Sequence, residues 1–483
     1  MKSIVVGSGI GGLVSALYLS QDGDEVVVLE KNDYVGGRLT FHTHGSFKVD
    51  QGPTIVLLPE MITSILEEAG MDTQSLDFID IDPLYKMSYP DGTDFWKYRN
   101  LKKQEEEIKQ VFPGEEGQFP QFMKSMEHHF TKGKAAFLDK SFNRKKDFYT
   151  ATNLKTLYEL KAYQSVDKMI RQFFTHKRLQ NAYKLQSLYI GGNPTNSSAL
   201  YSLVSYSEHA HGIWYLRGGY ASLIEKIVEE LNNRGVQFVL NAEVNEVLYE
   251  GSVVKGVKVD DTVYQGDRFI MNMDFPLAES LVERKPIKKK YVPSSGCLLL
   301  YVGLKKIYKN NPMHQFLMSD DFDQHMNDVF YSRELSTLPS IYAFHPSVLD
   351  ESLAPAGKGV LYALVPVPAK MSDDQCNELV DIVLNELEQR AFPELRSQME
   401  WLDIRTPHDA KKAGLFEGGS FGLAPTVTQS AVFRPQYQPF KAKNIYAVGA
   451  STHPGGGIPI VMQGAKLLAN ELLQTPMKAM TSR

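Results

Sequence analysis

The run from Ile4 to Glu30 constrains this 483-residue chain more than any other stretch. Ile4, Val5 and Val6 make a short apolar run of the kind a buried parallel strand needs. Gly7 allows a tight turn out of that strand, Gly9 lets backbone approach a pyrophosphate, and Gly12 lets the following helix pack closely. Across Ile10, Gly11 and Gly12 the free N–H groups of a helix start face the phosphates, where the helix dipole favours negative charge. Leu13, Ala16, Leu17 and Leu19 give the helix a buried side, Gly23 ends it, and Val26 to Val28 form a second strand. Glu30 follows 18 residues after Gly12, near the spacing of a carboxylate that accepts from ribose hydroxyls and repels a 2′-phosphate. Glycine patterns recur by chance in surface loops, but a strand before and a helix after make this one a dinucleotide site.

A second glycine turn, Gly36-Gly37-Arg38, suits a second approach to the pyrophosphate, with an arginine able to grip phosphate bidentately. It favours FAD over NAD. The chain is long enough for two or three domains. Hydrophobic residues at 43% and charged residues at 23% exclude general disorder. A net charge of -5 gives no general attraction to nucleic acid. Cys297 and Cys376 lie far apart without a CxxC partner, which argues against a disulfide framework or metal site and for a cytoplasmic setting. Lys2 before an apolar stretch imitates a signal peptide, yet glycines interrupt it and its second half completes the nucleotide unit. The longest apolar run, Cys297 to Leu304, has a strand's length rather than a membrane span's.

The sheet begun at Ile4 needs completion by later segments. Gly235 to Asp274 offers strands at Val236–Leu240, Val244–Tyr249, Lys255–Val259 and Arg268–Asn272, after a helical period over Ala221 to Asn233. Asn444 to Gly449 offers another, followed by Gly455-Gly456-Gly457-Ile458-Pro459 and a helix through Ala465, Leu468 and Leu472. Gly457 and Pro459 at that helix start bring backbone N–H groups toward a flavin's pyrimidine oxygen; the alternative is a plain structural turn. The expected organisation is an α/β, Rossmann-like FAD-binding domain of discontinuous segments (1–60, 213–284 and 413–483). A mixed α+β substrate and membrane-facing domain takes 61–212 and 285–412, with long helical patterns.

Between Lys132 and Lys184 stand thirteen Lys or Arg against Asp139, Asp147, Glu159 and Asp167. Phe137, Phe142, Phe148, Tyr149, Tyr158, Tyr163, Phe173 and Phe174 are interleaved. Such a stretch suits an anionic lipid surface. No nucleic-acid motif accompanies the charges, and the alternative is a solvated helix face.

Several blocks together resemble the FAD-dependent carotenoid desaturases of the phytoene desaturase type. They are the N-terminal unit with Gly36-Gly37-Arg38, Phe47 to Thr54, Leu188 to Pro194, Trp214 to Gly219, and Gly449 to Pro459. Asp147-Phe148-Tyr149 and the tail Ala450 to Lys466 favour the C30, dehydrosqualene (diapophytoene) branch. The resemblance implies a flavin amine oxidase or phytoene desaturase-like fold, FAD, and a lipid-soluble polyene substrate desaturated toward diaponeurosporene. It also implies peripheral association with the inner face of the cell membrane. It places Gly7, Gly9, Ile10, Gly11 and Gly12 at the pyrophosphate and Glu30 at the ribose, with Lys31, Gly37 and Arg38 beside them. Gly52, Pro53 and Thr54 fall near the ring, Val244 at the adenine, and Gly449, Gly457, Ile458 and Pro459 over the flavin. Aligning a rod-like polyene needs no obvious acid–base pair, and none is selected. With no second nucleotide site, quinone or oxygen is the expected electron acceptor.

The nearest alternative is a carotenoid oxidase that converts a terminal methyl to an aldehyde. A C40 phytoene desaturase, a flavin amine oxidase and a non-redox prenyl-binding escort protein are further options. The escort predicts a degraded nucleotide site, which Glu30, Arg38 and the three glycines contradict. Gly418-Gly419-Ser420-Phe421-Gly422 matches a hydrolase nucleophile pattern, but lacks a strand before and a helix after. His128, His129, His209 and His211 lack further ligands at zinc spacing.

Overall fold

A computed structural model describes residues 1–142, 145–288, 290–332 and 338–474. Arg144 of the basic tract, the side chain of Lys145, and residues 475–483 of the expected nucleotide domain lie outside the described residues.

The apolar run Lys2–Val6 is the middle strand of a five-stranded parallel sheet, ordered Ile445–Ala447, Arg268–Met271, Lys2–Val6, Glu25–Leu29 and Gln237–Val239. Three strands thus come from segments more than two hundred residues downstream, which closes the unit begun at Ile4. Helix Ile10–Gln21 buries Leu13, Val14 and Leu17 against Ala221–Asn233 and Ile458–Gln474 in one core. The close packing rests on Gly12, where a Cβ would run into the carbonyl oxygen of Gly7. An antiparallel trio, Glu246–Glu250, Val253–Val259 and Thr262–Gln265, flanks the sheet.

Two expectations change here. Val244 lies in an irregular connection, because the strand starts at Glu246. Helix Pro59–Glu68 packs Ile62, Ile65 and Leu66 into the nucleotide-side core, so a boundary at residue 61 cuts through that core.

The other large layer is a seven-stranded sheet in which Met399–Arg405, Gly296–Leu304, Gly359–Val367, Ile341–Phe344 and His314–Leu317 precede Tyr85–Ser88 and Asp94–Lys97. Five of these strands come from 285–412, where helical patterns were expected. Apolar content in that stretch serves two sheet faces rather than one helix stripe. In Gly296–Leu304 every residue is buried, as a central strand covered on both sides requires. Period two sends Leu298, Leu300, Val302 and Leu304 into a core with helix Asp373–Arg390, and Cys297, Leu299 and Tyr301 to the opposite core. That second face looks toward the nucleotide domain.

The basic tract is less uniform than its composition. Phe137, Phe142 and Phe148 form a small buried cluster with Leu160, and Phe174 and Lys184 are fully enclosed. Lys184 pairs with Asp167 and Asp323, Lys177 with Asp321, and Arg178 with Asp91, so distant carboxylates take up much of the local charge. Helix Ala151–Glu159 buries none of its residues; Leu154 and Tyr158 on it, and Tyr149 and Tyr163 on either side of it, are exposed. Among the described residues no helix is long and apolar enough to cross a membrane.

Candidate active site

Strand ends and helix starts converge on one cavity of about 450 Å³ between the two sheets. Its nucleotide side is lined by Gly7, Gly9, Ile10, Gly11, Glu30, Lys31, Gly37 and Arg38, with Val244 beside them. Gly52, Pro53, Thr54, Gly449, Gly457 and Ile458 line it further along. Of the expected residues, Gly12 and Pro459 do not reach it. Gly12 serves helix packing, while Pro459 sits within the first turn of Ile458–Gln474, behind Gly457.

Helix Ile10–Gln21 opens toward the cavity with Gly9 as its uncapped start and no acidic residue in its first turn. Its first N–H groups are therefore available to an anion. Gly36 and Gly37 are both at positive φ; Gly36 bridges onto Gly9 and a Cβ on Gly37 would lie 3.4 Å from the Gly9 Cα, which brings the second glycine turn against the first. A Cβ on Gly9 would meet Asn272 Nδ2 at 2.9 Å, so its need for glycine comes first from Asn272. Asn272 donates to the carbonyl oxygens of Gly7 and Gly9, both at 3.1 Å.

Glu30 arrives preorganised. Its buried carboxylate accepts from the Ser8 amide and hydroxyl at 2.8 and 2.6 Å, and from the Asn32 amide and side chain at 3.0 and 2.8 Å. A ribose hydroxyl bound there shares a carboxylate whose orientation is already fixed. Val244 makes no backbone hydrogen bond among the described residues, which leaves its peptide groups open to a ligand.

Arg38 departs from expectation. Its Nη1 donates to the Ser420 carbonyl at 3.0 Å and its Nη2 to Asp274 Oδ1 at 3.1 Å. The guanidinium fork is thus spent on protein partners rather than held ready for bidentate phosphate. Ser420 sits in a loop with its carbonyl engaged, which disposes of the hydrolase pattern.

Asn272 and Asp274 are the functional residues sequence reasoning missed. They follow the end of strand Arg268–Met271, the neighbour of Lys2–Val6. That crevice beyond the carboxyl ends of the strands is where open α/β sheets bind ligands, so a topological argument could have found them. Asp274 also accepts from the Ser451 hydroxyl at 2.9 Å and the Phe416 amide at 2.8 Å. Buried Arg434, also missed, donates to the carbonyls of Thr452, Gln429, Leu423 and Ala450, fixing the turn ahead of Gly457.

The remaining wall is mostly apolar, with Leu185, Leu188, Leu299, Phe316, Ile341 and Leu364. Cys297 lines it too, but burial pushes its thiol up to about 12, out of the range of a nucleophile. His209 is committed to the Tyr98 carbonyl and Tyr183 hydroxyl. Among the described residues no group of His, Cys, Asp and Glu has metal-binding geometry.

The family model for flavin-containing amine oxidoreductases matches residues 10–473. The chain belongs to that family. It is 51% identical, over 98% of its length and 97% of the relative's, to a 4,4'-diapolycopen-4-al dehydrogenase of Metabacillus indicus. It is 30% identical, over 98% of its length and 99% of the relative's, to a 4,4'-diapophytoene desaturase (4,4'-diaponeurosporene-forming) of Staphylococcus aureus. An oxidoreductase from Methanosarcina mazei shares the fold, with a TM-score of 0.68 at 16% identity over 97% of this chain and 100% of that one. This flavoprotein is an FAD-dependent oxidoreductase similar to the carotenoid desaturases. The cradle of Gly9, Gly36 and Gly37, the open helix start at Ile10 and the fixed Glu30 fit a flavin dinucleotide.

Proposed function

We propose that this flavoprotein oxidises the end of a linear C30 carotenoid, taking a terminal aldehyde to a carboxylic acid. The observation that carries the reading is one cavity joining the dinucleotide cradle to an apolar wall, with the hydroxyls of Thr54 and Tyr342 on its lining. The full-length 51% identity to a 4,4'-diapolycopen-4-al dehydrogenase supports it. When bound, FAD would supply the hydride acceptor, with the hydride leaving from the aldehyde's hydrate and water supplying the second oxygen of the acid. The helix start at Ile10 would hold the pyrophosphate, Glu30 a ribose, and the backbone at Gly457 and Ile458 the far end of the cofactor. Leu185, Leu188, Phe316 and Leu364 would align the polyene and shield its hydrocarbon chain from water.

Desaturation of dehydrosqualene to diaponeurosporene is the second reading. The apolar character of the wall favours it, since removing hydrogen from a hydrocarbon needs no polar partner, and so does the 30% identity to a diapophytoene desaturase. Conversion of a terminal methyl to an aldehyde would act at the same chain end and stop one oxidation level short of the acid. Expression in hosts that make either dehydrosqualene or 4,4'-diapolycopen-4-al separates these by pigment mass. Gain of one oxygen by the aldehyde supports the first reading and loss of hydrogen from dehydrosqualene the second. Unchanged pigments with flavin-loaded protein refute both.

Substrate delivery would come from the inner face of the cell membrane. Exposed Tyr149, Leu154, Tyr158 and Tyr163, with Tyr158 stacked on Tyr163 and Lys155 nearby, suit an anionic lipid surface. Quinone or oxygen would take the electrons; oxygen-free turnover with NAD⁺ but not quinone would refute that.

A further inference from the structure

We propose that His314, acting through Tyr342, holds the Thr54 hydroxyl as a hydrogen-bond donor to the terminal carbonyl oxygen of the polyene. The proposal rests on the terminal-oxidation reading above.

Three polar side chains from separate segments form a row. Thr54 follows strand Phe47–Asp50, Tyr342 lies on Ile341–Phe344, and His314 begins the neighbouring antiparallel strand His314–Leu317. The Tyr342 hydroxyl lies 2.8 Å from Thr54 Oγ1 and 2.7 Å from His314 Nδ1. All three residues are buried, and Thr54 and Tyr342 line the cavity while His314 stands behind them. The His314 ring stacks on Phe344 at 5.2 Å. Its Nε2 has no hydrogen-bond partner among the described residues.

That orphan sets the direction of the row. Burial drives the His314 imidazole down to about 3, so the ring is neutral and carries a single N–H. A proton on Nε2 would be a buried N–H without an acceptor, the rarer kind of orphan. A proton on Nδ1 instead donates to the Tyr342 oxygen and leaves only a bare lone pair at Nε2. The tautomer is thus assigned by the hydrogen-bond network. Tyr342 then donates its own proton to Thr54 Oγ1. The Thr54 hydroxyl, with no other hydrogen bond among the described residues, has its proton left for the cavity.

A fixed donor in a mostly apolar wall discriminates between substrates. A hydrocarbon end leaves it unpaired, whereas an aldehyde oxygen accepts from it. The arrangement therefore selects an oxygenated chain end over a methyl of similar size.

The test uses photoreduced holoenzyme without oxygen, so that 4,4'-diapolycopen-4-al binds without turnover. Resonance Raman spectroscopy reads the carbonyl stretch, and titration reads affinity for the aldehyde and for the hydrocarbon of equal length. In the wild type the stretch should fall below its value in an apolar solvent. Thr54→Val should abolish that fall and weaken aldehyde binding about ten-fold relative to the hydrocarbon, while Thr54→Ser should restore both. Tyr342→Phe, which leaves Thr54 but cuts its link to His314, should give a smaller loss. FAD content confirms that each variant is folded. An unshifted carbonyl in the wild type, or a full shift in Thr54→Val, overturns the proposal. A shifted aldehyde that the oxidised enzyme fails to convert refutes terminal oxidation and leaves the Thr54 assignment standing; conversion with an unshifted carbonyl does the reverse.

Discussion

Asp274 joins three segments that are distant in sequence, and its removal should loosen the cavity as a unit. Its carboxylate is 2% exposed and receives Arg38 at 3.1 Å, Ser451 at 2.9 Å and the Phe416 amide at 2.8 Å. A hydrogen bond to a charged group contributes about 1.5–3 kcal/mol, so a plain sum over three gives roughly 5–9 kcal/mol. That sum overshoots, because deleting the carboxylate also removes the cost of burying it. Arg38 is 31% exposed and keeps Ser420, so its orphaned cation regains some water. Asp274→Ala should therefore cost about 3 kcal/mol, the lower end of the range for breaking a buried pair. Asp274→Asn keeps the shape but aims an NH₂ group at a donor, and should cost about 2 kcal/mol. Urea denaturation of the FAD-bound protein measures both. Because Arg38, Ser420 and Phe421 line the cavity, FAD affinity should fall about ten-fold in Asp274→Ala. A loss below about 1 kcal/mol, with FAD affinity within about two-fold, would refute the idea that one carboxylate holds these segments together.

Three other outcomes are expected. Gly12→Ala places a methyl against the Gly7 carbonyl and should cost about 1–3 kcal/mol as overpacking, with FAD retention read by absorbance; full retention and an unchanged thermal midpoint would count against it. Burial pushes the Asp50 carboxyl from 3.8 up to about 7, against the lowering effect of the Ala221 and Tyr220 amides and of Lys48. Between about pH 4 and pH 7 the folded chain keeps this proton while the unfolded chain has lost it, so its contribution to stability falls as pH rises, by at most about 4 kcal/mol. Asp50→Asn should remove that slope, seen as a thermal midpoint that gains on the wild type toward about pH 8; parallel slopes would sink the argument. Replacing Tyr158 and Tyr163 together by serine should reduce flotation with anionic vesicles without altering FAD content, and unchanged flotation would dissociate this face from the membrane.

Local rules made the nucleotide unit legible. Strand, glycine turn, helix and acidic residue all lie within thirty positions, where spacing alone fixes which backbone groups face outward. Helix Ala221–Asn233 and strand Gly296–Leu304 were readable for the same reason, since each carries its own apolar pattern. The carotenoid resemblance likewise rested on contiguous motifs. Tertiary structure alone decided that Arg38 turns to Asp274, that Asn272 braces the first glycine turn, and that Thr54, Tyr342 and His314 meet. It also decided which aromatics of the basic tract are buried and which of its charges are paired, since carboxylates such as Asp321 and Asp91 come from elsewhere in the chain. Sequence periodicity encodes the face a residue presents, whereas its partner across that face depends on how separate segments stack, and local spacing carries no record of that.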